Sequence, residues 1–383
     1  MPKKKDNQTE TSEEENKPSS WVLPQKFYRD EQGRYWENNV LGGKNFLVPA
    51  PIWAGNINPY LFEGPTIFIM SQRKPLCDVP MMRAGGKVAD GGKVTGKGNL
   101  ILTDEEKNEL LKTDPLAEKF IRPYMMGKDF INNIKRWCLW LKDAEPAEVR
   151  KCPRVLERIE KVREFRLSSK KPATRKKADT PMLFDEPVEC KTDYLAVPSI
   201  SSSRRRYIPI AWLSHDVIPG ANMRFIDNAS LYIFGVLMSS VHMAWTRVIG
   251  GRLKSDYSYG NTVNYNAFVW PNITDTSEIE RTAQAILDAR AKYPRSSLAD
   301  LYDERTMPPE LRKAHNENDE AVMNAYGFKR HYEYEKFHEE DIVIRLMYMY
   351  KELTGCEEFS RNYPNREFWE SLYGNYEDAE DED

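Results

Sequence analysis

The chain has no apolar run approaching the roughly 18 to 20 residues that cross a bilayer, so no membrane-spanning helix is expected. Residues 1–20, MPKKKDNQTETSEEENKPSS, lack the apolar core of a secretory signal, which points to a cytoplasmic location. Cysteine is sparse and scattered: Cys77, Cys138, Cys152, Cys190 and Cys356 form no C-x-x-C pair. Reduced thiols are therefore expected rather than a disulfide framework or a zinc site. The 5 histidines show no metal-ligand spacing. Also missing are a G-x-x-x-x-G-K-[ST] phosphate loop, an F-x-G-x-G-type cofactor turn, a G-x-S-x-G elbow and a P-D-x(n)-[DE]-x-K string in a convincing context. On these absences no residue is assigned a catalytic, cofactor-binding or metal-binding role. The net charge of -3 argues against a protein that simply coats nucleic acid, yet it permits a local basic surface.

At 383 residues with 40% hydrophobic content, the chain has room for about two domains with a core. The reading is an α/β (α+β) domain with a mixed sheet over residues 21–271, then a small all-α domain over 272–376. A disordered leader (1–20) and an acidic tail (377–383) flank them. KFYRDEQGRYWENN predicts a hairpin turning near Glu31-Gln32-Gly33. Residues 63–69 read as a strand, and the glycine- and lysine-rich run from 84 to 100 as a loop, either DNA-facing or ordinary surface. Thr103 should cap a short helix over 104–112. IRPYMMGKDFINNIKRWCLWL reads as two strands around a turn at Gly127. A helix is expected over 147–168 with Val155, Ile159 and Val162 on its buried face. Strands are predicted at 194–198 and 207–213. Helices follow at 277–293, capped by Thr276 or Ser277, then at 309–326 and 341–353, with a linker between the first two.

Asn58-Pro59-Tyr60 resembles the [DN]-P-P-[YF] motif that holds the amine of a flipped-out base. One proline is missing, however, and a catalytic role is set aside.

Two groups of residues carry functional chemistry. Between 231 and 250, Leu237, Val241, Ala244, Trp245 and Val248 recur at helical spacing, and Gly250-Gly251 should end that helix. His242 is read as a packed core histidine. Arg252, Lys254, Asp256, Tyr257, Tyr259 and Asn261 follow closely. Arg and Lys donate to guanine edges or phosphates, Asn pairs with adenine, and Asp accepts from cytosine. The alternative is a tyrosine-rich surface loop. The second group is cationic. Residues 150–177 hold twelve Lys or Arg against three Glu, and Lys170, Lys171, Arg175, Lys176 and Lys177 are read as contacts to a phosphate backbone. Arg204, Arg205 and Arg206 form a further cluster of that kind. A solvated helix face is the alternative for the long run.

Long strings across residues 56–327 resemble MmeI-like DNA methyltransferases of type IIL restriction-modification systems. Among them are DPLAEKFIRPYMMGKDFINNIKRWCLWL, RIEKVREFRLSSKKPATRKKADTP, SSVHMAW, YNAFVWP and QAILDARAKYPRSSLADLYDERTMPPELRKAH. The resemblance implies a target recognition domain and a helical C-terminal region, without the catalytic domain. It implies binding to double-stranded DNA beside an adenine-specific methyltransferase domain or subunit encoded elsewhere. S-adenosylmethionine would bind that partner, and no cofactor is expected on this chain. The family varies a charged-x-charged pair at the position matching Lys254 and Asp256, which marks these two as the first base readers. Two alternatives stay open: a complete or split methyltransferase with an unrecognised active site, and a non-catalytic protein-interaction or decoy remnant.

Overall fold

The structure is a computed structural model. It describes residues 58–62, 64–91, 98–328 and 339–358, together with the backbone of four strands between residues 22 and 54. Those four strands, Val22–Leu23, Phe27–Arg29, Tyr35–Val40 and Leu47–Ala54, form an antiparallel meander in sequence order. The expected hairpin is present, with Tyr28 paired to Trp36, while its turn residues lie outside the described residues. The leader and the acidic tail lie outside them as well. Asn58-Pro59-Tyr60 makes a local turn in which the Asn58 Oδ1 accepts from the Tyr60 amide at 2.9 Å.

Residues 69–354 form one compact body. One sheet has the order Ala211–Leu213, Tyr194–Pro198, Met223–Asp227, Met82–Ala84, all antiparallel. The predicted strand at Tyr194–Pro198 is its centre and is buried on both faces, which is why it reads as an uninterrupted apolar run. A second sheet is mixed. Ile218–Pro219 runs parallel to Ile121–Met125, which pairs antiparallel with Trp137–Leu139, and that strand with Ile101–Leu102. Each sheet has its own apolar cluster, one around Leu100, Tyr124, Cys138 and Val155, the other around Tyr194, Met223 and Phe225. Both agree with the expected α/β class and mixed sheet. All five cysteines are free thiols. Among the described residues no helix is long and apolar enough to cross a membrane.

Several local expectations need correction. Residues 126–133 are not a simple turn: Gly127–Asn132 is a helix ending on Asn133 in the left-handed region, a conformation asparagine tolerates. A Cβ on Gly127 would lie 2.6 Å from the Asn222 carbonyl oxygen, so this helix approaches too closely for any other residue. The helix expected over 147–168 is two, Pro146–Val149 and Pro153–Leu167, because Pro153 cannot continue a helix but suits the first turn of one. Asp114, from a distant loop, caps the second by accepting from the Arg154 and Val155 amides. Val155 and Val162 are buried as predicted. Among the described residues no strand falls within the one expected over 63–69, and the strand expected over 207–213 is confined to Ala211–Leu213.

The helix Asp104–Thr113 starts at Thr103 with a full capping box to Glu106. Of the C-terminal helices, Ser277–Ala291, Pro309–Ala325 and Glu339–Thr354 match the expected positions. Thr276 is the N-cap residue as expected, but its side chain accepts no amide, and the Ser277 amide goes to Asp275 instead. The expected linker contains a further short helix, Leu298–Leu301, capped by Ser297. These helices pack against Leu231–Leu237 and Ser240–Val248. Gly235 allows this, since a Cβ there would meet the Ile279 side chain at 2.6 Å.

Candidate nucleic-acid interface

The helical spacing expected from Leu237 to Val248 falls on two helices, Leu231–Leu237 and Ser240–Val248, divided at Ser239, whose hydroxyl donates to the Val236 carbonyl at 2.7 Å and accepts from the His242 amide. The helix Ser240–Val248 ends at Ile249 and Gly250. A Cβ on Gly250 would collide with the Thr246 carbonyl and the Asn264 amide group, so glycine is required there. The chain then turns into a hairpin, Gly251–Leu253 with Asp256–Ser258, whose two-residue loop is Lys254-Ser255. A third strand, Ile200–Ser201, adds to the free side of Asp256–Ser258. That pairing brings residues 202–206 beside the hairpin: Ser203 bonds Asp256 and Tyr257, Arg205 feels the Asp256 charge, and the Arg206 carbonyl accepts from Arg247.

Cross-strand pairing sorts the hairpin side chains. Arg252 lies opposite Tyr257 and Leu253 opposite Asp256, and successive pairs face opposite ways. Tyr257 turns inward, while Arg252 across from it is exposed and lies over its ring. The Arg252 guanidinium sits 4.2 Å from the centre of the Tyr257 ring and donates to the Arg247 carbonyl at 3.0 Å. Tyr257 is 4% exposed, and its hydroxyl donates to the Ser203 carbonyl. The outward side and tip carry Leu253, 56% exposed, then Lys254 and Asp256. One Asp256 carboxylate oxygen accepts from the Ser203 amide at 3.3 Å. Arg204 and Arg206 are exposed and Arg205 is half-buried, its Nε without a partner. Burial lowers the Arg205 pKa, opposed by Asp303 and Asp256.

Two of the expected readers are core residues instead. Tyr259 is 1% exposed, with its hydroxyl 2.8 Å from the His242 Nε2. Tyr257 is the inner wall of the hairpin. Their alternation in a strand, with its inward side against helix Ser240–Val248, removes both from any ligand. His242 is the packed histidine expected, and burial pushes its pKa down to about 3. Asn261 is half-buried at the start of the turn Asn261–Tyr265.

Behind the exposed tip lies a polar network that sequence reading missed. Arg247 donates to the Glu339 carboxylate at 2.6 Å, the Arg206 carbonyl at 2.6 Å and the Tyr257 hydroxyl at 3.2 Å. Asp319 accepts from the Tyr207 hydroxyl at 2.6 Å and from the Ser240 amide at 2.7 Å, and the Arg206 guanidinium is 3.5 Å away. Burial pushes the Asp319 pKa up to about 6. Tyr207 stacks on His315, which meets Tyr302 at 2.8 Å, and Arg290 binds Tyr302 and the Ile210 carbonyl. Nothing in the local pattern around Arg247 or Asp319 announces these partners, most of which are distant in sequence.

The long basic run is less available than its composition suggests. Arg166 is fully buried and donates to five carbonyls, those of Val88, Ala89, Lys177, Thr180 and Leu183. Arg154 and Lys161 share Glu157, Arg163 lies 3.6 Å from Glu160, and Lys177 pairs with Asp185. Arg175 binds the Ser169 and Lys170 carbonyls. Lys170, Lys171 and Lys176 remain exposed with no ion pair among the described residues. Among those residues, no hydrogen bond or ion pair joins this segment to the hairpin group.

Comparison with known proteins places this arrangement. The MmeI target recognition domain matches residues 63–272, and the MmeI C-terminal domain matches 272–356. DNA methyltransferase A of Bacillus subtilis (strain 168) is 34% identical over 301 residues, which are 78% of this chain and 33% of that protein. A solved structure of the type IIL restriction-modification enzyme MmeI in complex with DNA superposes with a TM-score of 0.75 at 41% identity. That match covers 85% of this chain and 42% of the MmeI chain. The chain thus spans about a third of the methyltransferase and under half of MmeI.

Proposed function

Because this chain belongs to the MmeI family and carries its target recognition and C-terminal domains, we propose that it reads duplex DNA sequence-specifically through the tip of the 251–258 hairpin. Lys254 donates to guanine and Asp256 accepts from cytosine, complementary chemistry for one G·C pair. Asp256 keeps a carboxylate oxygen without a protein partner among the described residues, and Lys254 extends from the loop itself. Arg204 and Arg206 hold the phosphate backbone beside that tip, and Lys170, Lys171 and Lys176 hold it elsewhere. Methyl transfer from S-adenosylmethionine to adenine belongs to a methyltransferase domain outside these residues. The observation that carries the reading is the pairing of Ile200–Ser201 with Asp256–Ser258. It brings the segment carrying Arg204, Arg205 and Arg206 beside the hairpin that carries Lys254 and Asp256, which supports reading the two distant segments as one site.

The test is a selection of random duplex DNA on the 383-residue chain at moderate salt, with and without S-adenosylmethionine. An asymmetric enriched word is expected. The Lys254→Ala/Asp256→Ala variant should relax one position of it by about 1–3 kcal/mol and leave the salt slope unchanged. Equal loss on every sequence would sink the assignment of these two residues. No binding to any duplex would sink the function.

A further inference from the structure

We infer that Arg247 is a positioning residue for base readout, and that through Glu339 the C-terminal helix Glu339–Thr354 sets the geometry of the reading hairpin. The inference rests on the DNA-reading function proposed above. Arg247 projects from the helix Ser240–Val248 into the space between three segments. Its planar fork serves one acceptor in each: the Tyr257 hydroxyl on the inner face of the hairpin, the Arg206 carbonyl in the arginine loop, and the Glu339 carboxylate. Only a guanidinium can hold three such directions at once, because a lysine ammonium on its flexible stem lacks the rigid spacing. Arg252 adds a fourth tie by closing back on the Arg247 carbonyl. Asp319, from the helix Pro309–Ala325, grips the same arginine loop at Arg206 and Tyr207.

The energetics separate positioning from stability. The Arg247 and Glu339 side chains are 25% and 38% exposed, so their pair is partly solvated and contributes little to folding. Base discrimination, by contrast, needs donors held to within about half an ångström. A brace of small net stability thus has a large effect on where Lys254 and Asp256 point. The same arrangement gives the C-terminal domain a role in DNA reading through the hairpin it braces.

The experiment repeats the duplex selection with the wild type, Lys254→Ala/Asp256→Ala, Arg247→Lys and Glu339→Gln, with thermal melts alongside. Arg247→Lys should lose about tenfold discrimination, the lower end of what one misread base pair costs. The loss should fall only at the position relaxed by the double variant, with an unchanged salt slope and melting temperature. Glu339→Gln keeps an acceptor for the guanidinium and should lose only about two- to threefold at that position. A wild type that selects a word, with Arg247→Lys reading it equally well, overturns the inference and leaves the proposed function standing. Uniform loss at all positions together with a lowered melting temperature also overturns it, since Arg247 would then be merely structural. A word insensitive to the double variant removes the hairpin assignment and this inference together. If the wild type selects no word, the proposed function fails first.

Discussion

Two regions of this protein carry arginine and lysine, and they use them in opposite ways. The 150–177 segment holds twelve cations, and it turns several of them inward or onto its own helix while Arg150, Lys151, Lys170, Lys171 and Lys176 stay exposed. Arg166 organises five carbonyls, and Arg154, Lys161 and Arg163 pair with neighbouring glutamates. The hairpin group has fewer cations. It keeps Lys254, Arg204 and Arg206 exposed and fixes the backbone that carries them through buried groups such as Asp319 and Tyr207. Counting charge along a sequence finds the first region. Only tertiary pairing finds the second, because what matters for recognition is which cations are left over and how firmly their backbone is held.

The sharpest way to break this contrast is Arg166→Ala. Five carbonyls would lose their donor in a dry site, and stability should fall by about 3–5 kcal/mol in urea unfolding. A loss of DNA affinity without destabilisation would show that Arg166 is a contact after all. Next comes Asp319, which anchors the other region. Burial holds its folded pKa at about 6, above the ordinary 3.8 that applies in the unfolded chain. The folded state therefore binds the proton more tightly. This group's stabilising contribution is fullest below pH 3.8 and is lost as pH rises through 6. The difference is on the order of 3 kcal/mol. Thermal melts between pH 4 and 7 should show that decline in the wild type and a flatter profile in Asp319→Asn. Identical profiles would mean the carboxylate is not titrating there.

A smaller effect is expected from Lys170→Ala/Lys171→Ala/Lys176→Ala. The plot of log affinity against log salt should become shallower by about 2–3, with the selected word unchanged. A changed word would erase the distinction between the two regions. The smallest effect belongs to Glu157→Gln, which releases Arg154 and Lys161 from an exposed pairing. The melting temperature should move by no more than about 1 °C.

Elements written in one contiguous pattern were legible from sequence. Thr103 and Glu106 announce their capping box, Tyr194–Pro198 is apolar throughout, and Ser277–Ala291 repeats its buried face at helical spacing. Pro153 and Ser239 divide helices that periodicity alone runs together, although a proline at a first turn and a serine at a cap are recognisable in hindsight. Within the candidate site, Lys254 is exposed at the hairpin tip and Asp256 is half-buried beside it, bonded to the Ser203 amide. Tyr257 and Tyr259 do not, because which side of a strand faces inward depends on a helix and a third strand that the local sequence does not specify. The same holds for Arg247, whose three acceptors lie in three separate segments.

Lys254 occupies the first position of its two-residue loop at φ +57, a slot that glycine usually fills in such hairpins. Holding a residue with a side chain in that conformation costs about 1 kcal/mol or more. A library screened for thermal resilience alone would therefore drift toward glycine or asparagine at this position, and under the proposed readout those sturdier proteins would lose a letter of their vocabulary that a melting curve does not register.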